Sequence, residues 1–128
     1  MADKTVVRTE SAPAPFQGAP YSQAIRANGF VFVSGQVGLR PGETELPDGI
    51  AAQTEQVFAN LGAILEAGGS SLDRLVKTTV FLQSMDDFAG MNEVYARHVG
   101  ERPPARSTVE VAKLPSGALV EIEAVAVV

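Results

Sequence analysis

A chain of 128 residues with 45% hydrophobic and 20% charged content has the profile of one globular domain over residues 1–128, and excludes a disordered or fibrous protein. A net charge of −5, with lysine and arginine scattered along the chain, excludes the basic face that phosphate-backbone binding requires, so no nucleic-acid partner is expected. The absence of cysteine excludes disulfides and thiolate metal sites, while the start MADKTVVRTE lacks a signal-peptide pattern and no apolar run nears the roughly 18–20 residues of a membrane span, so a cytoplasmic chain without a membrane partner is expected.

In chain order, TVVRT and then SQAIRANGFVFVSGQ read as strands. Asn28-Gly29 is the dipeptide a tight hairpin turn wants, because both central residues need positive φ. GLRPGETELPDG reads as a loop from its proline and glycine content. From Ile50 to about Ala67, the residues Ile50, Val57, Leu61, Ile64 and Leu65 recur at helical spacing, and Gly68-Gly69 supplies a left-handed stop. RLVKTTVFLQS is rich in β-branched residues and predicts a strand. A second helix follows, capped by Ser84 or Asp86, burying Phe88, Met91, Val94 and Tyr95 and ending at Gly100. His98, the single histidine, is expected to interact with the C-terminus of that helix. Two further strands lie within ERPPARSTVEVAKLPSGALVEIEAVAVV, one opening on Arg106 and the other carrying Glu121 and Glu123.

The resulting order, β-β-α-β-α-β-β, predicts an α+β fold: a mixed sheet with both helices packed on one face. In the last strand Val120, Ile122, Ala124 and Ala126 share one parity and should face the helices, whereas Glu121, Glu123, Val125 and Val127 share the other. An uncovered face mixing aliphatic residues with carboxylates points to burial against other subunits, sheet against sheet. Such packing would bring Arg106, Glu121 and Glu123 to where two chains meet. From spacing alone, an Arg–Glu ion pair between subunits and a reaction site are equally apt readings.

Six segments carry a more specific signal: PYSQA at 20–24, FVFVSGQ at 30–36, VKTTVFL at 76–82, DFAGMNEVY at 87–95, PARSTVEVAKLP at 104–115 and VEIEAVA at 120–126. In this order they resemble the reactive intermediate deaminase family, also called the YjgF or RidA family. The resemblance implies a chorismate-mutase-like fold and a homotrimer whose three sheets enclose a barrel, with sites in the clefts between subunits. It also implies cofactor-free hydrolysis of 2-imino acids, or their enamine tautomers such as 2-aminoacrylate, to 2-keto acids and ammonia, without a metal.

By the same resemblance, Arg106 grips the substrate carboxylate, a planar group that a guanidinium meets with two parallel hydrogen bonds. Glu121 matches the family's catalytic glutamate, which would hold and polarise a water. Tyr21 matches a pocket tyrosine, Asn92 a pocket asparagine, and Ser34 with Gly35 a pocket wall. Thr108 stands where some relatives carry cysteine, and Ala19 stands where members commonly have glycine before Pro-Tyr. Glu123 is assigned a structural role. The alternative reading is a non-catalytic trimer that binds a small carboxylate as a sensor or carrier; ribonuclease activity, also attached to the family, fits poorly with the acidic composition.

Overall fold

Asn28 and Gly29 carry φ values of 53° and 83° and close a hairpin between β2 (Ala24–Ala27) and β3 (Phe30–Val37), as a tight turn between twisted strands demands. The computed structural model describes residues 3–128. Thr5–Val7 forms a short strand, β1, antiparallel to β2. It lies within TVVRT, the first stretch read as a strand; with the hairpin it makes three strands before the first helix, one more than the β-β-α-β-α-β-β order counts. The other elements are α1 (Gly49–Ala67), β4 (Leu75–Leu82), α2 (Phe88–Val99), β5 (Ala105–Glu110) and β6 (Val120–Val127).

The strands form one sheet in the order β1-β2-β3-β6-β4-β5. Only β4 and β5 pair in parallel, across the α2 crossover; β6 lies antiparallel between β3 and β4. The helix boundaries follow local chemistry. Gly69, with φ 85°, provides the left-handed residue after α1, whereas Gly68 does not. Ahead of α2, Ser84 rather than Asp86 acts as the cap: its Oγ accepts the Asp86 backbone N–H at 3.1 Å and starts a single 3₁₀ turn that runs into the helix.

The helical stripe of α1 is buried as its spacing predicts, with Val57, Leu61, Ile64 and Leu65 inaccessible to solvent along with Phe58. Each such side chain contributes about 1.5–3 kcal/mol of burial free energy. Opposite them lie Val120, Ile122, Ala124 and Ala126 of β6, all buried, which confirms the predicted parity. Tyr95 of α2 shares a 2.6 Å hydrogen bond with Thr78 of β4, the residue paired with Ala124, and packs edge-on against Phe58 of α1. Both helices therefore cover the Ala124 side. The other side of the sheet, carrying Phe32 (46% exposed), Val109 (43% exposed), Glu121, Glu123 and Val127, has no layer over it in the protomer.

His98 lies in the last turn of α2, as expected, but its hydrogen bond is made across to the other helix. Its Nε2 lies 3.0 Å from Oε2 of Glu55 on α1, its ring stacks on Phe58, and Arg97 reaches the same carboxylate at 2.9 Å. Side-chain hydrogen bonds, first from Arg97 and then from His98, hold the Glu55 carboxyl below its ordinary range.

Candidate functional site

The expected site residues fall into two groups, on opposite sides of the sheet. The first is built on β5 and α2. In the parallel register Arg106 pairs with Thr78, and because Thr78 and Ala124 face the helices, so does Arg106. It therefore does not share the open side with Glu121 and Glu123, as sheet-against-sheet packing would require. Its Nη1 donates to Oδ1 of Asn92 at 2.7 Å. Its Cζ lies 4.7 Å from the Tyr95 ring centroid and 5.6 Å from that of Phe88, within the range of cation–π attraction. No carboxylate among the described residues pairs with it.

Phe88, Asn92 and Tyr95 stand at i, i+4 and i+7, one stripe of a helix. The two aromatic neighbours of Arg106 were assigned to the core, not to the site. The signal that could have found them is the asparagine lying in register with them on an otherwise apolar stripe. Beside Arg106 opens a shallow cleft of about 360 Å³ lined by Asn92, Tyr95, Val99, Pro103 and Pro104. Thr108, two residues along the same side of β5, buries its Oγ1 without a hydrogen-bond partner.

The second group is built where β3 meets β6. The register slips between Val33 and Gln36, so Ser34 and Gly35 sit in a bulge, the usual device for re-aiming side chains. Ser34 is pinned there, its Oγ donating to the Ser22 carbonyl at 2.6 Å and its N–H to the Gln23 carbonyl at 2.9 Å. Gly35 faces the Glu121 side chain directly. A Cβ added at Gly35 would stand 2.9 Å from the Glu121 carboxyl carbon and closer still to Oε2, so only glycine leaves the carboxylate where it lies. Burial, and secondarily the charge of Glu123 on the same face, push the Glu121 carboxyl above its ordinary range.

Tyr21 precedes Ser22, at the edge of this second group. It is 43% exposed, and its hydroxyl accepts the Phe16 N–H at 2.6 Å. It lines a cavity of about 480 Å³ with Arg8, Glu10 and Gln23, away from the Arg106 cleft. The structure thus brings Arg106 to Asn92, and Glu121 to Gly35, but unites neither pair with the other within one chain. Glu121 pairs with Phe81, three positions along β4 from the partner of Arg106. Strand spacing and rise put the Arg106 and Glu121 Cα atoms about 14 Å apart, with side chains on opposite faces.

Among the described residues, no cluster of three or more histidine, cysteine, aspartate or glutamate side chains is arranged to hold a metal ion, and no helix is long and apolar enough to cross a membrane. Chemically, the first group offers a cation set over two aromatic rings, with hydrogen-bond donors beyond the one given to Asn92. The second offers a carboxylate with raised proton affinity beside a half-buried strand bulge.

Comparison with known proteins matches residues 9–128 to the model of the family described as Endoribonuclease L-PSP. A RutC family protein of Pyrococcus horikoshii is 52% identical, over 96% of this chain and 97% of that protein. The 2-iminobutanoate/2-iminopropanoate deaminase of Mus musculus is 44% identical, over 97% of this chain and 91% of that protein. The structure of Escherichia coli TdcF with bound serine superposes with a TM-score of 0.90 at 37% identity, covering 97% of this chain and 98% of that one. The mixed sheet with two helices on one face is the chorismate-mutase-like fold of these solved relatives, and with it the chain belongs to the YjgF/RidA family, which includes proteins named reactive intermediate deaminases.

Proposed function

We propose that the protein is a cofactor-independent hydrolase of reactive 2-imino acids, releasing 2-keto acids and ammonia, and that its working form is a homotrimer in which Arg106 of one chain and Glu121 of a neighbour share each site. The observation that carries this reading is the Arg106 guanidinium. It is held in place by Asn92 and Tyr95, yet no acidic residue among those described neutralises it. A guanidinium prepared in this way is suited to a planar carboxylate, which it meets with two charge-assisted hydrogen bonds. The name of the mouse relative supports 2-iminobutanoate and 2-iminopropanoate as substrates.

The composite site follows from the opposed faces. A small imino acid gripped by Arg106 cannot reach Glu121 of the same chain through the sheet, and the open, partly apolar side that carries Glu121 needs a cover. A second chain laid against that side would supply both. Closed cyclic symmetry then makes every site equivalent.

In the reaction, water adds to C2 of the imino acid, its oxygen forming the new C–O bond as Glu121 accepts its proton. As the C=N π bond opens, that proton passes to nitrogen and gives the carbinolamine; on collapse the hydroxyl proton moves by way of Glu121 to the amino group, the C–N bond breaks as C=O forms, and ammonia leaves with the keto acid behind. A carboxylate of raised proton affinity suits both transfers, since a group that ionises nearer the working pH is the better acid and base. Ser34 and Gly35 form the wall beside the water, Thr108 lies along the carboxylate side, and Tyr21 is positioned to offer its hydroxyl once it leaves Phe16.

The test is direct. Purified protein added to a dehydratase that generates 2-iminopropanoate should accelerate keto-acid release above buffer; no acceleration would remove the hydrolase reading. One observation favours a second reading, since TdcF was solved with serine bound: a trimer that binds small carboxylates at Arg106 as a sensor or carrier. In that case calorimetry would register carboxylate binding while imine hydrolysis stayed at the spontaneous rate.

A further inference from the structure

Tyr95 has a position that core packing alone does not explain. Its ring fills space between α1, α2 and β4, which a phenylalanine would fill equally well. Its hydroxyl nevertheless meets the fully buried Thr78 Oγ1 at 2.6 Å. Thr78 is also the residue alongside Arg106 in the β4–β5 register. The contacts close a circuit: the strand pairing sets Arg106 beside Thr78, Thr78 latches Tyr95, and the Tyr95 ring lies 4.7 Å from the Arg106 guanidinium carbon. Phe58 packs edge-on at 5.4 Å and fixes the ring from the far side.

We propose that Tyr95, latched by Thr78, is a positioning residue that sets the plane of the Arg106 guanidinium for gripping the substrate carboxylate. The proposal rests on the imino-acid reading for its substrate, but on the contacts around Arg106 for its geometry. Stacking uses the face of a guanidinium while carboxylate recognition uses its edge, so the ring and the substrate do not compete. Asn92 takes one in-plane hydrogen of Nη1, which selects the rotation of the group within that plane. Tyr95 then fixes the tilt of the plane and Asn92 the spin within it. A buried, fully paired hydroxyl specifies one ring orientation where an apolar ring would leave several.

Arg106 holds the carboxylate in the ground state and in the transition state alike, so losing its alignment should raise KM and leave kcat nearly unchanged. A merely structural role for Tyr95 would do the opposite, lowering the concentration of folded enzyme, and with it kcat, at constant KM. Two measurements decide the matter: Michaelis parameters for 2-iminopropanoate, and the NMR resonance of the Arg106 Nε–H, which a ring at this distance displaces by its ring current.

Tyr95→Leu is expected to raise KM about 3- to 30-fold, the range of a partly buried cation–π contact, with kcat within about twofold of wild type, and to abolish the ring-current displacement. Tyr95→Phe and Thr78→Val, which keep the ring, should retain the displacement and raise KM only about two- to threefold, since each removes one neutral hydrogen bond. The proposal is overturned by an undisplaced Arg106 resonance in the wild type, by Tyr95→Leu with wild-type KM, or by Tyr95→Phe as impaired as Tyr95→Leu. Absence of hydrolysis by the wild type would instead overturn the functional reading, and the NMR comparison would still decide the platform.

Discussion

The surroundings of Arg106 and those of Glu121 are built on contrary principles. Around Arg106 every neighbour adds a contact: Asn92 accepts from it, its guanidinium carbon lies over the rings of Tyr95 and Phe88, and Thr78 locks Tyr95. Around Glu121 the fold removes contacts: Gly35 has no side chain to offer, the bulge turns Ser34 away toward Ser22, and the nearest charge on the same face is another carboxylate, Glu123. A group that must hold one ligand in one pose gains from crowding. A group that must bind and release a proton gains from having few partners to stabilise its charged form.

Removing the anchor should cost most. Arg106→Ala is expected to lower kcat/KM by roughly 10²–10⁴, the loss of two charge-assisted hydrogen bonds, with the same gel-filtration elution as wild type. Arg106→Lys should also be severely impaired, since a point charge cannot reproduce the paired geometry. Full activity in either variant would break the comparison on the Arg106 side.

On the opposite side, the proposed mechanism has Glu121→Gln lower kcat by about 10²–10³ through loss of proton transfer, and Gly35→Ala by about tenfold or more, because its Cβ displaces the Glu121 carboxylate. If Gly35→Ala matched wild type in kcat, the close approach of Gly35 to Glu121 would have no catalytic meaning.

The pH dependence sharpens the contrast. The Glu121 carboxyl has a higher proton affinity folded than unfolded, because burial and Glu123 oppose its charge. Its stabilising contribution is thus fully present below the ordinary glutamate range and is lost as pH rises through the elevated folded value. Glu121→Gln should therefore melt above wild type at pH 7, with the gap closing toward pH 4. Activity requires the ionised form and should fall as pH drops through that same elevated value. Glu123→Gln, by removing the like charge, should move this acid limb to lower pH; an unmoved limb would take Glu123 out of the electrostatics. The smallest effect belongs to neither half: Glu55→Gln, which breaks an exposed pair with Arg97, should cost less than about 1 kcal/mol of stability in urea unfolding.

Much of this was readable from the residues alone. The Asn28-Gly29 turn, the buried stripe of α1 and the parity of β6 are set by local φ preference and by strongly periodic apolar spacing, and each appears where the pattern demands. The face on which Arg106 lies was not readable. β5 is an edge strand whose sequence, ARSTVE, places polar residues at both parities, so alternation carries no information there and only pairing with Thr78 decides the side. The clasp between Glu55 and His98 escaped for a similar reason: it joins residues 43 positions apart, and no local rule names the partner. The candidate site residues, by contrast, were suggested by resemblance to a family and not by spacing, because a carboxylate with few partners looks like any surface glutamate until the fold places Gly35 beside it.

The central claim, that each site is shared between chains, can be tested by mixing two crippled proteins. Arg106→Ala and Glu121→Gln, each inactive alone, should recover about one quarter of wild-type activity after denaturation and refolding together, because random assembly into a cyclic trimer joins an intact Arg106 to an intact Glu121 at about one site in four. No recovery in mixed trimers, verified by mass spectrometry to contain both variants, would contradict the account.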